Sequence, residues 1–260
     1  SEMCIRDRLK VPGTVVKDID GLEAGTNHGR AADKYVYSAS VVNQWLEKPS
    51  TQPKNKKIVF VTFDDGPTTK FTGEQLDNLE KAGARATFFM IPPQMRDVGK
   101  NMLSRSLKMG NALAIHSYSH DYKYLYHGRA ADKAKHIGCD WDWAMAQSRA
   151  ILGSNYFSSA FRYPGGHMSW TNLSQADAAL AKRGVGWIDW NAMSGDADAQ
   201  RPTTVPGYLQ MVKKSIKESN NPNVVVILNH DTYGKQMTAK AMPSILAWLK
   251  SQGYEFGVIA

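Results

Sequence analysis

The sequence predicts an α/β protein: a distorted or incomplete (β/α) barrel with about seven parallel strands over residues 58–260, preceded by an N-terminal extension or cap over residues 1–57. Three observations lead there. From residue 58 onward, short β-rich apolar runs alternate with amphipathic stretches, the pattern of a sheet built from βα units. Seven such runs leave six gaps for crossover helices, which suits a short or open relative of the eight-stranded barrel better than a two-layer fold. The chain of 260 residues, 42% hydrophobic and 22% charged, has the size and balance of one large core, so any metal it binds serves chemistry rather than folding.

Residues 1–57 are punctuated by Gly, Asn, Asp and Pro, and within them Tyr35–Leu46 alone reads as regular; Ser1–Arg8 show no periodicity. The strands then follow as Ile58–Asp64, Ala86–Ile91, Ala112–Ser117, Ala160–Pro164, Val185–Trp190, Val224–His230 and Glu255–Ile259, each bounded by Gly, Pro or polar residues. Of the intervening helices, Asn172–Lys182 is the clearest. Leu173, Ala176, Leu180 and Ala181 share a side, and Gly184 lies just past its end. Pro243–Lys250, ahead of Gly253, is another. The heptapeptide His-Gly-Arg-Ala-Ala-Asp-Lys occurs at His28–Lys34 and again at His127–Lys133, but the flanks do not match, so it marks no structural repeat.

Composition excludes several classes. The net charge of +8 reads as a diffuse excess, and the cluster Lys54, Lys56 and Lys57 as a solvated strand edge; no aromatic and basic interleaving points to nucleic acid. No apolar run approaches the roughly 20 residues that span a bilayer. The chain begins at Ser1, so a processed or truncated product is expected, and any membrane contact would be through an anchor missing from its N-terminal side. Two cysteines, Cys4 and Cys139, are too few for a disulfide framework and lack the neighbours of a structural zinc knuckle.

The chemistry gathers at predicted strand ends. The first strand breaks into Thr62-Phe63-Asp64-Asp65-Gly66-Pro67-Thr68. Taken alone, those acids would suit an ordinary turn. Being adjacent they point different ways, so one can bind a metal while the other faces substrate. The third strand runs into His116-Ser117-Tyr118-Ser119-His120, where two imidazoles can bind one divalent ion with Asp65 as third protein ligand and water at an open position. Arg162, at the end of the fourth, can hold Asp64 ionised through a bidentate pair. The sixth ends in Ile227-Leu228-Asn229-His230-Asp231, and a protonated His230 can donate to a leaving amine. Aspartate-nucleophile phosphatases are excluded because their acids stand two apart, whereas Asp64 and Asp65 are adjacent.

The four stretches TFDDG, HSYSH, RYPGG and LNHD, in that order, resemble the catalytic motifs of the polysaccharide deacetylase family, the NodB-like carbohydrate esterase group, over about residues 58–260. The resemblance implies Asp64 as catalytic base and Asp65, His116 and His120 as ligands to one divalent ion, zinc first, with cobalt or nickel as alternatives. It implies Arg162 as the residue orienting the base and His230 as the acid. The family's further acidic segment, Asp-x-x-Asp-Trp, maps to Asp196, with Met193 and Ala197 where its first acid and tryptophan would stand; Asp189 is the alternative partner. Tyr163, Pro164, Trp170 and Leu228 are the expected substrate contacts, with Tyr163 also offering a backbone N–H to the oxyanion and Tyr122 as a second stacking ring.

Arg162–Trp170 and the run HSYSHDYKYLY look most like the surface peptidoglycan deacetylases of Gram-positive bacteria. That implies an extracellular or cell-surface monomer removing N-acetyl groups from N-acetylglucosamine of the wall. Chitin oligomers, an exopolysaccharide and acetylated xylan are the rival substrates. A non-catalytic wall-binding protein is the rival of another class.

Overall fold

The computed structural model describes residues 15–260, so Ser1–Arg8 and Cys4 lie outside the described residues. The strands are β1 (Val36–Tyr37), β2 (Lys57–Asp64), β3 (Ala86–Met90), β4 (Ala112–Ile115), β5 (Ala160–Phe161), β6 (Gly186–Trp187), β7 (Ala192–Met193), β8 (Val224–His230), β9 (Tyr254–Phe256) and β10 (Val258–Ile259). The α-helices are α1 (Ala39–Glu47), α2 (Phe71–Ala82), α3 (Met95–Lys108), α4 (Tyr122–Tyr126), α5 (Ala130–Leu152), α6 (Ser174–Ala181), α7 (Val205–Glu218) and α8 (Gln236–Ser251). Seven strands form a curled, half-barrel parallel sheet in the order β6-β5-β4-β3-β2-β8-β7, as the α/β pattern predicts. The eighth, β9, pairs with the start of β2, below the point where β3 begins.

Period-two alternation divides the interior. Along β2, Val59, Val61 and Phe63 face the surrounding helices, while Ile58 and Phe60 point into the barrel with Phe89, Ala114, Ala160 and Val226. Ala39 and Val42 of α1 join that inner layer at the N-terminal ends of the strands, and Ile19 and Leu22 join the outer core. Residues 15–57 thus close the bottom of the barrel and leave the C-terminal strand ends open.

Five elements differ from the sequence expectation. The predicted strand Glu255–Ile259 divides in two, because Gly257 lies so close to β2 that a Cβ there would meet the Phe60 ring at 2.7 Å; beyond it the chain leaves β2 and β10 pairs with β1. The predicted strands at 160–164 and 185–190 are regular only at 160–161 and 186–187, and β7 is an unpredicted two-residue addition beside β8. Finally, α8 starts seven residues before Pro243. The proline cannot bond the carbonyl of Ala239, and Asn78 Nδ2 donates to that carbonyl instead at 2.8 Å, so the helix runs through.

Candidate active site

Because the strands run parallel, the residues that follow β2, β4, β5 and β8 open on one face. Asp64 and His230 stand opposite each other in the β2–β8 register. Asp65 turns out of the strand with φ 69°. Its neighbour Gly66 is required there, since a Cβ would lie 2.3 Å from the Asp231 carboxylate.

Asp65 Oδ1 lies 3.2 Å from His116 Nε2 and 3.1 Å from His120 Nε2. His116 Nδ1 is 2.9 Å from the carbonyl of Arg162; it must donate to it, which leaves the Nε2 lone pair facing Asp65. Asp65 Oδ1 is itself buried without a hydrogen-bond donor. Acceptor atoms of Asp65, His116 and His120 therefore converge within 4.8 Å of one another, an arrangement that a cation relieves. Two imidazoles and one carboxylate with an open side match a catalytic divalent site.

A residue the sequence reading missed holds this loop. Asp140, fully buried on α5, accepts from Ser117 Oγ and Tyr118 N, each at 2.7 Å, and from Ser119 N at 2.9 Å. Ser117 Oγ in turn accepts from His120 N at 2.9 Å. These bonds fix a turn in which Ser117 and His120 have φ of 146° and 48°. The available signal was an acid between Cys139 and Trp141 on the buried side of a long helix, which needs a polar partner. Asp140→Ala is expected to lower the affinity for a divalent ion about 10–100-fold through the displaced His120, as loss of groups behind metal ligands does. Competition with a chromophoric chelator measures this; wild-type affinity would refute it.

Arg162 is wholly buried. Its Nη1 donates to Asp64 Oδ1 at 2.9 Å and to Thr62 Oγ1 at 2.6 Å, Nε to Ile188 O and Nη2 to Asp189 O, both at 3.1 Å. The guanidinium also packs 4.1 Å from the centroid of Phe89. The expected bidentate pair is thus a single bond, because Nε and Nη2 are spent on carbonyls beyond β6. Asp64 keeps Oδ2 free of Arg162, 3.8 Å from His116 Nε2.

His230 Nδ1 lies 2.8 Å from Asp196 Oδ1, and its backbone N–H donates to Asp196 Oδ2 at 2.9 Å. Thr238 Oγ1 donates to that same Oδ2, and Lys235 Nζ to the Asp196 carbonyl. Burial disfavours charge on His230, yet the Asp196 bond and the charges of Asp196, Asp64 and Asp65 prevail and push its pKa up to about 9. Asp189 is elsewhere: its carboxylate accepts from His167 N at 2.8 Å and Met168 N at 2.9 Å, holding the loop after Gly166. Met193 lies in β7 with its N–H on Ser215 Oγ, and Ala197 is exposed. Asp231, also missed, is buried behind the Asp64-Asp65-Gly66 turn, with Thr72 Oγ1 donating to it; burial above all, then the charges of Asp65 and Asp64, push its pKa up to about 7.

The expected substrate contacts divide. The Tyr163 side chain is in the core, its hydroxyl donating to Asp177 Oδ1 at 2.8 Å, because it alternates with the inward Arg162; only its backbone can reach substrate. Pro164 offers a carbonyl that Tyr126 OH and Trp170 Nε1 already occupy at 2.8 and 2.9 Å. Leu228 lies inside the barrel, one inward position below His230. Trp170 and Tyr122 flank an open cleft of about 410 Å³, with the Tyr122 ring 5.4 Å from that of His120.

Residues 51–182 match the family model described as polysaccharide deacetylase. The chain is 30% identical over 210 residues to a bifunctional xylanase/deacetylase of Pseudobutyrivibrio xylanivorans, covering 81% of this chain but only 31% of that protein. It is 28% identical over 204 residues to a peptidoglycan-N-acetylglucosamine deacetylase of Bacillus cereus, covering 78% of this chain and 69% of that one. A Streptococcus mutans CE4 esterase of known structure superposes with a TM-score of 0.83 at 39% identity, covering 92% of this chain and 98% of that one.

Proposed function

Because the chain belongs to the polysaccharide deacetylase family, we propose that it removes N-acetyl groups from N-acetylglucosamine units of peptidoglycan, releasing acetate, at the cell surface or outside the cell. The observation that carries the chemistry is the convergence of Asp65, His116 and His120 beside Asp64 and His230. The similarity to a Bacillus cereus enzyme named for peptidoglycan favours that polymer, and the positive net charge suits an anionic wall.

A divalent ion held by Asp65, His116 and His120, zinc with cobalt or nickel as alternatives, would supply Lewis acidity to the acetamide carbonyl and a more acidic water. Asp64 takes the proton of the attacking water through Oδ2, the oxygen that Arg162 leaves free, while the Arg162 bond fixes the direction of the carboxylate. The Tyr163 backbone N–H is assigned to the developing oxyanion, a role worth about 3 kcal/mol for a preorganised donor. His230, kept protonated by Asp196, gives its Nε2 proton to the departing sugar amine.

The test is acetate release from purified peptidoglycan by metal-stripped protein, with and without added zinc or cobalt. Release only on metal addition is expected. Failure of the metal-loaded protein on peptidoglycan, with turnover of chitin oligomers or acetylated xylan, would overturn the substrate assignment; binding without turnover of any of them would overturn the enzyme reading.

Tuning of the acid gives a second expectation. An acid must be protonated to act, and Asp196 raises the pH at which His230 loses its proton. Asp196→Asn is therefore expected to move the alkaline limb of the kcat/KM profile to lower pH by at least one unit. An unmoved limb would remove His230 from the role of acid.

A further inference from the structure

Beside the metal ligands lies a cleft whose recognition chemistry the deacetylation itself does not use. Trp170 stacks on Tyr126 with centroids 3.9 Å apart and planes at 16°, and Tyr122 packs edge-on against Trp170 at 5.3 Å. Both polar tips of the stacked pair, Trp170 Nε1 and Tyr126 OH, are turned inward onto the carbonyl of Pro164. The cleft therefore shows apolar ring surface, and the remaining lining groups are Lys123 and His127, both exposed. Among the described residues no carboxylate lines it. Nearby lysines are occupied, Lys133 Nζ on Thr171 O and Lys235 Nζ on Asp196 O, whereas the Lys123 ammonium has no such partner among the described residues. The same face carries further exposed apolar side chains on the loops after β5 and β8, Met168 at 60% and Tyr233 at 74% exposure, as a surface that tracks a polymer would.

Resting on the peptidoglycan reading, we infer that this cleft is the subsite for the sugar adjoining the one deacetylated, and that Lys123 selects a sugar bearing its own carboxylate on an ether side chain. The ring faces suit the C–H face of any pyranose, so they select nothing by themselves. A neutral neighbour leaves Lys123 without an acceptor, whereas an acidic one gives it a charge-assisted hydrogen bond. Lys123 lines the same cleft as the stacking rings, so the anion it meets sits on the stacked sugar; that carboxylate is free only where the stem peptide otherwise amide-linked to it has been removed, so Lys123 favours peptide-free stretches of the glycan. The cleft is large enough for one sugar ring, and its Tyr122 wall touches His120, so its occupant is next to the reacting unit.

Two probes separate the possibilities: peptide-free glycan strands, whose alternate sugars carry free lactyl carboxylates, and neutral chitotetraose. In full-length, metal-loaded protein, Lys123→Glu is expected to lower kcat/KM on the strands about tenfold more than on chitotetraose, chiefly through KM, and Lys123→Arg to keep the wild-type ratio within about twofold. Calorimetric binding of the strands to the Asp64→Asn protein, with and without Lys123→Glu, reads the same contact without turnover. Equal affinity in that pair, or a Lys123 effect confined to peptide-bearing strands, would overturn the assignment. Strands that bind through Lys123 but release no acetate would sink the peptidoglycan reading and leave the cleft assignment standing.

Discussion

Asp64→Asn is expected to cut acetate release by about 10³-fold, within the range that a positioned general base contributes. The asparagine carbonyl can still accept from Arg162 Nη1, so the side chain keeps its direction, but its Nδ2 can take no proton from water. Arg162 then loses its counter-charge in a fully buried site, so a lower melting temperature is also expected. The remaining bonds of Arg162 to Thr62, Ile188 and Asp189 hold the local structure. The decisive comparison is acetate release at matched folded fraction and matched zinc content. Release within tenfold of wild type would remove Asp64 from the role of base.

His116→Ala is expected to bring both bound zinc and acetate release to background. His116 is the most enclosed of the three candidate ligands, with its side chain 2% exposed against 26% for Asp65 and 28% for His120. Its Nδ1–H is anchored on Arg162 O, so one ring presents its lone pair to the metal and ties β4 to the arginine that directs the base. His120, held by one backbone bond on a partly exposed turn, is expected to cost less when replaced by alanine. Metal analysis after dialysis, beside the rate, checks the order. Stoichiometric zinc in His116→Ala would mean that the ion binds elsewhere.

The candidate site was largely legible because its groups sit where local pattern changes. Asp64 and Asp65 end a continuous apolar run, His116 and His120 end another, and His230 ends a third; a polar residue at such a point needs a reason, and parallel strands send all of them to one face. Asp196 was harder to read, since Met193 and Ala197 stand where the resemblance calls for an acid and a tryptophan. The structure brings its carboxylate onto His230 because β7 pairs with β8 at Met193–Leu228, and the chain then turns back over the strand end. The interior direction of Tyr163 was available in principle: alternation along a strand forces it away from the side that Arg162 faces.

Sequence alone therefore determined the parallel α/β architecture and singled out the candidate reacting groups, since both depend on residue type and short spacing. Tertiary structure decided which distant acid serves which group: Asp140 for the His116–His120 turn, Asp196 for His230, Asp189 for the loop after Gly166. It also decided where elements end. The heptapeptide shows why: at 28–34 it leads into a 3-10 turn of 6 residues that gives way to β1, and at 127–133 the same residues open a helix of 23. Identical local preferences part there because a helix grows only while its next residues bury a face against something already in place, and that partner is supplied by remote chain.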